Sequence, residues 1–511
     1  MARILLCTLN ARYIHASAGL RCLYANMAEL QGDARIVEFE VVQPAREIAE
    51  ALLREEPRII GFGVYIWNTV RTHEVISIIR KVRPDIRIVL GGPEVSHEPE
   101  AQPIVAAADC VIAGEADLEF YSLCKKFLAS EKDIPARIQA RLPDLGQVAL
   151  PYRFYSDEDI AHRVIYVEAS RGCPFTCEFC LSSLDIPVRQ FSLDSVLGEL
   201  DLLYARGART FKFVDRTFNL NVRTSLSILQ FFLDRMVPGL FVHFEMVPDR
   251  FPPQLRDAVA RFPRGSLQLE VGVQTLNPEV SALISRRQDV AKLVDNLDFL
   301  RRHTEAYLHV DLIAGLPGED LESFGRGFDQ LVALNPQEIQ VGILKKLRGT
   351  PIVRHEARFA MHFSDEPPYE ILQNQDLSFL ELQRIGRFAR YWDLIANSGN
   401  FLKTRHLLWT GIESAFQGFM EFSDWLFGVV GRRASISLKS LVEHVAVFLQ
   451  TQRGLGLDAF GSDLTEDYMR GGRDDVPLFL RTYVPSCGVQ GRAKRRGPQV
   501  ALKRQQRTAF G

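Results

Sequence analysis

The first 130 residues alternate short apolar runs with segments of helical periodicity. Apolar runs of this kind are typical of strands that are buried on both faces of a parallel sheet. The predicted strands are Ile4–Thr8, Ile36–Val41, Ile59–Gly63, Ile86–Leu90 and Cys110–Ala113. The segments between them include the predicted helices Ala45–Arg54 and Thr72–Val82. This alternation predicts a doubly wound α/β domain over residues 1–130.

A second strand–helix series follows a mixed segment, residues 131–159, whose prolines indicate a linker. Its predicted strands are Val164–Ala169, Thr210–Asp215, Phe241–Met246, Leu267–Gln274, Tyr307–Ala314 and Ile339–Ile343. The predicted helices include Leu193–Tyr204, with Ser192 as its N-cap, and Thr224–Arg235, Ala291–Arg302 and Leu321–Leu334. Six such units predict a parallel α/β sheet that forms a partial barrel over residues 160–353.

The later strands of this series keep apolar residues on one side and mostly polar residues on the other. The polar side carries His243, Glu245, Gln268, Glu270, Gln274, His309, Asp311 and Gln340. Because side chains alternate along a strand, one set faces the outer helices and the other faces a lumen. Unpaired carboxylates in a dry lumen are unfavourable. We therefore expect a hydrated cavity for a polar ligand, and a hydrogen-bonded structural network is the alternative.

The strand–helix alternation stops after residue 353. Patterns at Ile371–Ile395 and Leu438–Leu449 predict helices, so residues 354–484 are expected to form a mainly α-helical extension. Residues 485–511 contain seven Lys and Arg residues and no acidic residue. Such a basic tail is expected to be disordered and solvated. Binding of RNA or another polyanion by this tail is the open alternative.

Bulk composition indicates a globular protein without a global preference for nucleic acid or membrane. The chain has 511 residues, a formal net charge of −2 and eight cysteines. No apolar run is long enough to cross a bilayer. The first residues have the pattern of a strand and not that of a signal peptide. We therefore expect a cytoplasmic protein without a disulfide framework.

Three of the cysteines, Cys173, Cys177 and Cys180, stand within eight residues. Their spacing, C-x-x-x-C-x-x-C, follows the predicted strand Val164–Ala169 at the expected mouth of the barrel. Thiolates are the usual ligands of iron–sulfur clusters, and three of them can bind three irons of a [4Fe–4S] cube. Structural zinc is disfavoured, because it normally has four protein ligands and no fourth Cys or His stands at metal spacing.

The stretch Ser170-Arg-Gly-Cys173-Pro-Phe-Thr-Cys177-Glu-Phe-Cys180 resembles the signature of the radical S-adenosylmethionine superfamily. Phe179, the aromatic residue before the third cysteine, also matches that pattern. The resemblance covers residues 160–350. It implies a [4Fe–4S] cluster on the three cysteines. It also implies S-adenosylmethionine on the open iron, as the source of a 5′-deoxyadenosyl radical.

Three glycine-rich segments of the first domain are similar to loops of cobalamin-binding domains. They are Gly61-Phe-Gly-Val-Tyr65-Ile-Trp67, Gly91-Gly92-Pro93-Glu94 and Gly114-Glu115-Ala-Asp. They stand at strand ends, where open α/β sheets bind ligands, although ordinary tight turns explain each segment taken alone. The resemblance implies cobalamin as a cofactor, with contacts from Tyr65, Gly91, Gly92, Pro93, Gly114 and Glu115.

The segment after the first strand departs from the pattern of many cobalamin proteins. Those proteins carry D-x-H-x-x-G at this place, and the histidine binds cobalt. This chain has Asn10-Ala-Arg-Tyr-Ile-His15-Ala-Ser-Ala-Gly19, in which the Asp is missing and the spacing differs. His15 as the axial ligand of cobalt and a cobalt without a protein histidine therefore both stay open.

Further motifs resemble a little-characterised branch of this family that has a C-terminal extension. They are Val214-Asp-Arg-Thr-Phe-Asn219, Val271-Gly-Val-Gln-Thr275, Asp311-Leu-Ile-Ala-Gly-Leu-Pro-Gly-Glu319 and Leu347-Arg-Gly-Thr-Pro351. Positions carried over by strand imply contacts to S-adenosylmethionine from Asp215, Glu245 and Gln274. Glu245 and Asp311 are the predicted catalytic residues. A structural salt bridge is the alternative for each carboxylate, and Arg216 is a candidate partner for Asp215.

The resemblance implies an enzyme of radical chemistry, and cobalamin-dependent methyl transfer to an unactivated carbon is the favoured reaction. Cyclisation, rearrangement or oxidation without methyl transfer is one alternative, and a non-catalytic sensor that binds the cofactors is another. The expected partners are a small-molecule or natural-product-like substrate and a one-electron donor such as flavodoxin or ferredoxin. A membrane partner is not expected. Nucleic acid is disfavoured, although the basic tail keeps it open.

Overall fold

The computed structural model describes residues 3–185, 187–470 and 472–484 of the chain. The chain divides into two compact units. The first unit holds Met1–Glu245, Lys345–Arg354 and Phe363–Glu370. The second holds Met246–Leu344, His355–His362 and the residues from Ile371 onward. Two short segments that follow the last barrel strand in sequence therefore belong to the first unit.

The first sheet consists of six parallel strands. They are β1 (Ile4–Asn10), β2 (Ala34–Glu40), β3 (Ile59–Gly63), β4 (Arg87–Gly91), β5 (Cys110–Ala113) and β6 (Arg137–Gln139). Their order in the sheet is β2-β1-β3-β4-β5-β6. The chain moves outward in opposite directions from β1 and β3, and open α/β sheets bind ligands at such a switch point.

Helices cover both faces of this sheet. They are α1 (Ala18–Ala25), α2 (Ala45–Leu53), α3 (Thr69–Val82), α4 (Pro103–Ala106) and α5 (Glu119–Leu128). Alternate strand residues enter separate apolar clusters, so that Leu5 belongs to one cluster with Ile48, and Leu6 belongs to the other with Phe120. Burial on both faces explains why these strands are continuous apolar runs in the sequence. The predicted doubly wound α/β domain is confirmed.

The buried cysteines of this domain belong to its core. Cys7 and Cys110 are fully buried in β1 and β5, as their positions in apolar runs predict. Cys22 and Cys124, which lie on helices, are buried as well. These four side chains act as small apolar groups in the packing of the domain. Cys487 and the predicted basic tail lie outside the described residues.

Residues 131–159 contain more regular structure than the predicted linker. β6 pairs in parallel with β5 at the edge of the sheet. α6 (Asp157–His162) begins with a capping box, in which Ser156 and Asp159 bond each other's backbone N–H. β6 has only three residues and no apolar run, so hydrophobic periodicity does not detect it. The prediction of a linker therefore misses one strand and one helix.

The second sheet has the predicted six strands. The strands from this part of the chain are β7 (Ile165–Val167), β8 (Ser170–Arg171), β9 (Arg189–Gln190), β10 (Thr210–Phe213), β11 (Phe241–Met246), β12 (Leu267–Gln274), β13 (Tyr307–Ala314) and β14 (Glu338–Ile343). The six-stranded sheet has the order β14-β13-β12-β11-β10-β7, while β8 and β9 form a separate antiparallel pair. This open sheet confirms the predicted partial barrel.

Helices follow the barrel strands along the chain. They are α7 (Leu193–Ala205), α8 (Val222–Asp234), α9 (Pro253–Ala260), α10 (Pro278–Leu283), α11 (Val290–His303) and α12 (Leu321–Leu334). The Ser192 hydroxyl accepts a hydrogen bond from Ser195 N and caps α7, as predicted. The same device starts α12, where the Asp320 carboxylate accepts from Ser323 N at 2.7 Å.

The C-terminal extension is mainly helical, as predicted. Its elements are β15 (His362–Phe363), β16 (Ile371–Gln373), α13 (Phe379–Ile395), α14 (Ala415–Val430), α15 (Leu438–Gln452) and α16 (Leu457–Met469). The predicted helix Ile371–Ile395 is wrong in its first part. Asn374 Oδ1 accepts from Leu377 N, and a capping box of Ser378 and Glu381 then starts α13. These side chains interrupt the apolar pattern with a turn.

Aromatic residues of the extension form its core. Tyr391 and Trp392 are buried in α13, and the Trp409 ring lies 5.9 Å from that of Trp392. Short 3₁₀ helices cover Ala28–Asp33, Pro99–Ala101, Tyr152–Phe154, Leu181–Leu184, Phe218–Leu220, Pro351–His355, Arg405–Trp409 and Leu478–Tyr483. Within the described ranges, every helix is too short or too polar to cross a bilayer.

Candidate functional site

A cavity of about 330 Å³ lies in the first unit, at the carboxyl ends of β3 and β4. It is the switch point of the first sheet, between β1 and β3. Five predicted cobalamin residues line it, namely Tyr65, Gly91, Gly92, Gly114 and Glu115. The sixth, Pro93, does not line it. The three glycine-rich motifs therefore supply ten of the 26 residues that line this cavity.

Glycines bring the backbone close together around this cavity. Gly92 has a φ of +107°, and a Cβ at this position would lie 2.5 Å from the carbonyl oxygen of Val64. A Cβ at Gly61 would lie 2.7 Å from the Phe120 ring. These positions need glycine because a larger residue clashes, and Gly92 also because it adopts a backbone conformation that other residues avoid.

We expect Gly92→Ala to lower the free energy of unfolding by about 2–4 kcal/mol, from backbone strain together with the clash. Gly239→Ala is the matched control, because Gly239 also has a positive φ, +88°, and nothing lies within 4 Å of its Cβ position. Urea unfolding of both variants separates the two contributions. If both variants lose the same free energy of unfolding, the clash of a Cβ with Val64 at Gly92 contributes nothing to the stability.

His15 lies beside the cavity wall and not on it. Its Nδ1 is 2.6 Å from the hydroxyl oxygen of Tyr166. Tyr166 lines the cavity, whereas His15 is absent from the lining residues. Burial lowers the pKa of His15, so its neutral form is favoured. The described geometry therefore gives His15 a role in holding the Tyr166 ring and does not place it as an axial ligand.

The three clustered cysteines lie in the loop between β8 and β9. Cys173 and Cys177 are buried, and Cys180 is half-buried. The loop closes on itself, because Cys173 N donates to Asp185 O at 2.9 Å. Gly172, with a φ of +91°, precedes Cys173, and a Cβ there would lie 2.7 Å from Asp185 O. The glycine of the motif therefore lets the loop fold back tightly.

The thiols of this loop stay the predicted ligands of an iron–sulfur cluster. Burial raises the pKa of the Cys173 thiol, and the neighbouring Cys180 and Cys177 raise it further, so ionisation of this thiol needs a cationic partner such as iron. Among the described residues, no group of three or more His, Cys, Asp or Glu is arranged to hold one metal ion. A cube binds its ligands at separate corners, so its thiolates stand farther apart than the ligands of one ion.

Arg171, two residues before Cys173, joins the cysteine loop to the cavity wall. Its Nη1 lies 2.8 Å from Glu115 Oε2 and 2.9 Å from Asp117 Oδ2. Its Nη2 lies 2.8 Å from Glu168 Oε1. Although burial opposes the charge, Glu168 and Asp117 raise the pKa of Arg171 above its ordinary value. The guanidinium is thus a cation shared by three carboxylates, all of which line the cavity.

Sequence reasoning missed Asp117, Glu168 and Arg171 as site residues, although all three lie in or beside the motifs. Asp117 ends the Gly114-Glu115-Ala-Asp segment, and Arg171 lies between Ser170 and Gly172 of the cysteine stretch. The available signal was the presence of charged residues beside the glycines and cysteines of these motifs. Arg171 and Asp117 are 54 residues apart, and hydrophobic patterns carry no information about such a pair.

Asp215, a predicted contact to S-adenosylmethionine, supports the start of the cysteine loop. Its carboxylate accepts hydrogen bonds from Ala169 N at 2.9 Å and from the Ser170 hydroxyl at 2.6 Å. Burial raises the pKa of Asp215 to about 6. The alternative of an Arg216–Asp215 pair is wrong, because Arg216 Nη1 lies 3.2 Å from both carboxylate oxygens of Glu245. Arg216 thus holds a different predicted site residue.

Asp215 gives the stability of the chain a pH dependence. Its native pKa, about 6, lies above its ordinary value, so its contribution to stability is fully present below about pH 4 and lost as the pH rises through about 6. Between pH 4 and pH 7 the wild type should lose about 2–3 kcal/mol relative to Asp215→Asn. Urea unfolding across this range measures the difference. The exposed Asp133→Asn is the control, and a wild-type curve parallel to that of Asp215→Asn would contradict the assignment.

A second cavity of about 340 Å³ adjoins the cysteine loop in the first unit. Ser170, Asp215 and Thr217 give it polar groups, and Phe218 gives it an apolar surface. Pro174, next to Cys173, also lines it. The space beside the predicted cluster ligands therefore combines polar and apolar groups, as a site for a polar organic molecule requires.

Gln274 lies in the second unit at the end of β12. The pairing of β12 with β13 shifts register between Gly272 and Gln274, and Gln274 has a φ of +71°. A bulge of this kind changes the direction of a side chain at the end of a strand. Non-glycine residues with positive φ cluster at ligand sites, because the surrounding structure must hold them there. The strained backbone singles out Gln274 as a candidate, and its role stays a prediction.

Asp311 lies within an ionic network on the polar side of β13. Its Oδ1 is 3.2 Å from His309 Nε2, and His309 Nδ1 is 3.8 Å from Glu338 Oε2. Burial opposes protonation of the imidazole, yet these carboxylates raise the pKa of His309 to about 9. The polar side of this strand therefore carries ionic contacts, while His309 Nε2 and Asp311 Oδ1 are buried without a hydrogen-bond partner among the described residues. The choice between a hydrated cavity and a hydrogen-bonded network stays a prediction.

Three family models match successive parts of the chain. The B12 binding domain matches residues 4–123, and the radical SAM superfamily matches residues 167–331. A family of unknown function, DUF4080, matches residues 357–488. At the level of domains, these matches confirm the predicted cofactors, which are cobalamin, S-adenosylmethionine and a [4Fe–4S] cluster. They also confirm a C-terminal extension of a little-characterised kind.

Curated relatives include several methyltransferases. An uncharacterised methyltransferase of Pyrococcus horikoshii, PH0819, is 27% identical over 40% of this chain and 50% of its own length. The cobalamin-dependent radical SAM methyltransferase TokK of Streptomyces tokunonensis is 24% identical over 66% of this chain and 54% of its own. The chain thus spans about half the length of the curated relatives that it matches.

Solved structures share the fold. OxsB, a cobalamin-dependent S-adenosylmethionine radical enzyme with aqua-cobalamin and S-adenosylmethionine bound, has a TM-score of 0.60 and 14% identity, over 91% of this chain and 78% of its own. The radical S-adenosylmethionine methyltransferase TsrM of Kitasatospora setae, with cobalamin and a [4Fe–4S] cluster bound, has a TM-score of 0.56 and 16% identity, over 72% of this chain and 78% of its own. At such identities the likeness shows the fold alone.

Proposed function

We propose that the chain is a cobalamin-dependent methyltransferase, because residues 4–123 match the B12 binding domain and residues 167–331 match the radical SAM superfamily. The proposed reaction uses a 5′-deoxyadenosyl radical and places a methyl group on an unactivated carbon of a small molecule. The observation that carries this proposal is Arg171. This residue belongs to the cysteine stretch and pairs with Glu115 and Asp117 on the wall of the other cofactor's cavity.

When bound, the cluster supplies one electron to S-adenosylmethionine, and cobalamin carries a methyl group. The residues of the chain bind and orient these groups. Cys173, Cys177 and Cys180 are the proposed iron ligands. The tight turn at Gly172 fixes where their loop begins, and the hydrogen bond from Cys173 N to Asp185 O closes the loop.

The proposed cobalamin contacts come from the wall of the first cavity. Gly91, Gly92 and Gly114 allow backbone to approach a large cofactor closely. Tyr65 gives a half-buried ring, which stacks on the half-exposed Trp67 with 4.4 Å between the ring centroids. Glu115 gives a carboxylate oriented by Arg171. Amide groups around the corrin ring are hydrogen-bond donors, so carboxylates on the wall are suitable acceptors for them.

The proposed contacts to S-adenosylmethionine are Asp215, Glu245 and Gln274. Asp215 lines the second cavity beside the cysteine loop, and Arg216 orients the Glu245 carboxylate. Glu245 and Asp311 are the proposed catalytic residues. Arg216 holds the Glu245 carboxylate, and His309 holds the Asp311 carboxylate. Each carboxylate can accept a hydrogen bond from a hydroxyl or amino group.

The proposed partners are a small-molecule substrate and a one-electron donor such as flavodoxin or ferredoxin. Two relatives favour a small molecule. One is the 2-(S-pantetheinyl)-carbapenam-3-carboxylate methyltransferase of Streptantibioticus cattleyicolor, which is 23% identical over 61% of this chain and 50% of its own length. The other is TsrM, a structure of which holds tryptophan as substrate.

The test is an anaerobic incubation of the reconstituted chain with a reductant and S-adenosylmethionine whose methyl group is deuterated. Mass spectrometry then measures 5′-deoxyadenosine, S-adenosylhomocysteine and label on cobalamin. The proposal expects all three signals. If 5′-deoxyadenosine forms while S-adenosylhomocysteine and label on cobalamin stay at background, radical chemistry without methyl transfer replaces the proposal. If none of the three forms although both cofactors are bound, a non-catalytic sensor replaces it.

A further inference from the structure

Residues 347–354, named the strap here, follow the last barrel strand and contain the Leu347-Arg-Gly-Thr-Pro351 motif, to which the proposed function assigns no role. The strap belongs to the first unit, together with both cofactor loops. Its first half contacts the loop that begins with Gly91 and Gly92 of the cavity wall. Its second half contacts the loop of the three cysteines. Two contacts with each loop define the geometry.

Arg348 makes the contacts of the first half. Its Nε donates to Glu94 Oε1 at 3.0 Å, and its Nη2 donates to the hydroxyl of Tyr369 at 2.9 Å. The same hydroxyl donates to Glu94 Oε1 at 2.6 Å. Glu94 and Tyr369 are only 5% and 6% exposed. A buried carboxylate of this kind needs both donors, because losing one leaves a charge without compensation.

Gly349, the residue after Arg348, packs closely against the loop of residues 94–98. Gly349 N donates to Glu98 Oε1 at 3.0 Å. Gly349 has a φ of +79°, and a Cβ at this position would lie 2.5 Å from Cγ of His97. The strap therefore follows the 94–98 loop at backbone distance. A movement of either segment has to move the other, because close-packed groups do not deform continuously.

The second half of the strap contacts the cysteine loop at Glu178, the residue after Cys177. Ile352 N donates to Glu178 O at 2.9 Å, and Arg354 Nη1 lies 3.4 Å from Glu178 Oε1. Glu178 is 4% exposed. Only three residues separate Arg348 from Ile352, so the strap is short enough to transmit a shift of the cysteine loop to Glu94.

Glu94 links the strap to the wall of the first cavity. Glu94 stands two residues after Gly92, which lines the cavity. The Gln102 side chain donates to Glu94 O at 2.9 Å and holds the loop from the other side. A shift at Glu94 therefore changes the backbone at Gly91 and Gly92, where a bound cofactor is approached most closely.

We propose that the strap couples the two cofactor sites, so that a cluster on the cysteines changes the affinity of the cavity for cobalamin. Arg348 is the positioning residue of this coupling. This inference rests on the proposed function, because it requires both cofactors to bind. By linkage the coupling is reciprocal, and cobalamin changes the affinity for the cluster by the same factor.

The test measures the dissociation constant of hydroxocobalamin by anaerobic absorbance titration, for the chain without the cluster and for the chain after reconstitution with iron and sulfide. The ratio of the two constants is compared among the wild type, Arg348→Met and the milder Tyr369→Phe. Arg54→Met is the control. Arg54 is exposed, and its ion pair among the described residues is with Glu50, four residues earlier in the chain. Hydrogen exchange of residues 91–98 in the cofactor-free chain gives a second measurement that does not need either cofactor.

The expected wild-type ratio is at least about fivefold, and Arg348→Met should bring it below about twofold while both cofactors still bind. Tyr369→Phe should give an intermediate ratio, and Arg54→Met the wild-type ratio. Exchange of residues 91–98 should be faster in Arg348→Met. A wild-type ratio near one, or an unchanged ratio in Arg348→Met, overturns the coupling alone. A wild-type chain that binds no cobalamin or forms no cluster overturns the proposed function instead.

Discussion

Cys177→Ala is expected to abolish the iron–sulfur cluster, and with it every product that depends on reductive cleavage of S-adenosylmethionine. Three thiolates are needed for three irons, and alanine offers no ligand in place of the Cys177 sulfur. Cys177 is buried, so water does not replace the lost thiolate freely. Iron and sulfide content, visible absorbance and the yield of 5′-deoxyadenosine should all fall to the level of the unreconstituted chain.

The matched control for this loss is Cys124→Ala, because Cys124 is a buried cysteine of the first domain and lies in the apolar core. Burial raises its thiol pKa to about 12, so this cysteine stays protonated at neutral pH and is a poor metal ligand. Cys124→Ala should retain the wild-type cluster content. Retention of the cluster in Cys177→Ala, or its loss in Cys124→Ala, would remove the cysteine stretch as the cluster site.

Arg171→Met is expected to destabilise the chain by about 3–5 kcal/mol, because it leaves the buried Asp117 and the half-buried Glu168 without their shared cation, while Glu115 keeps its ion pair with Arg189. Burial already raises the pKa of Glu168, and without Arg171 that pKa should rise further. The same change removes one of the two arginines that orient Glu115 at the cavity wall, the other being Arg189, so cobalamin affinity should fall as well. Urea unfolding of the cofactor-free chain and an absorbance titration with hydroxocobalamin measure the two effects.

Arg171→Lys and Arg54→Met complete this experiment. Lysine keeps the charge but lacks the planar fork that pairs with several carboxylates, so Arg171→Lys should recover only part of the stability. Arg54→Met removes an exposed arginine and should change the free energy of unfolding by less than about 1 kcal/mol. An Arg171→Met chain as stable as Arg54→Met would falsify the view that this cation holds the cavity wall and the cysteine loop together.

The sequence allowed much of the fold to be predicted, because most strands are buried on both faces or alternate strictly. β3, β5, β11, β12 and β13 have the predicted bounds. β6 escaped prediction because a three-residue edge strand needs no apolar run. The false start of the helix predicted from Ile371 has a local cause, since Asn374 and the capping box at Ser378 form a turn in an otherwise apolar pattern.

The candidate site was predictable only where glycine or cysteine chemistry marked it. Five of the six residues predicted for cobalamin line the first cavity, and the three predicted cluster ligands lie in one loop, while their roles stay predictions. The ionic contacts that join these loops were not predicted from the sequence. Arg348 and Glu94, for example, are 254 residues apart and meet only in the folded chain. The partner of Arg216 was predicted wrongly for the same reason, since Asp215 and Glu245 are both plausible from spacing alone.

The most direct test of the central claim is the cofactor content of one wild-type chain. The chain is reconstituted anaerobically with iron, sulfide and hydroxocobalamin, separated from unbound material, and assayed for iron, cobalt and protein together with its ultraviolet–visible spectrum. The account predicts about four irons and one cobalt per chain, and no iron above background in Cys177→Ala. Cobalt at background in a folded chain that holds iron would contradict a cobalamin site in the first domain. Iron at background would contradict the cluster on Cys173, Cys177 and Cys180.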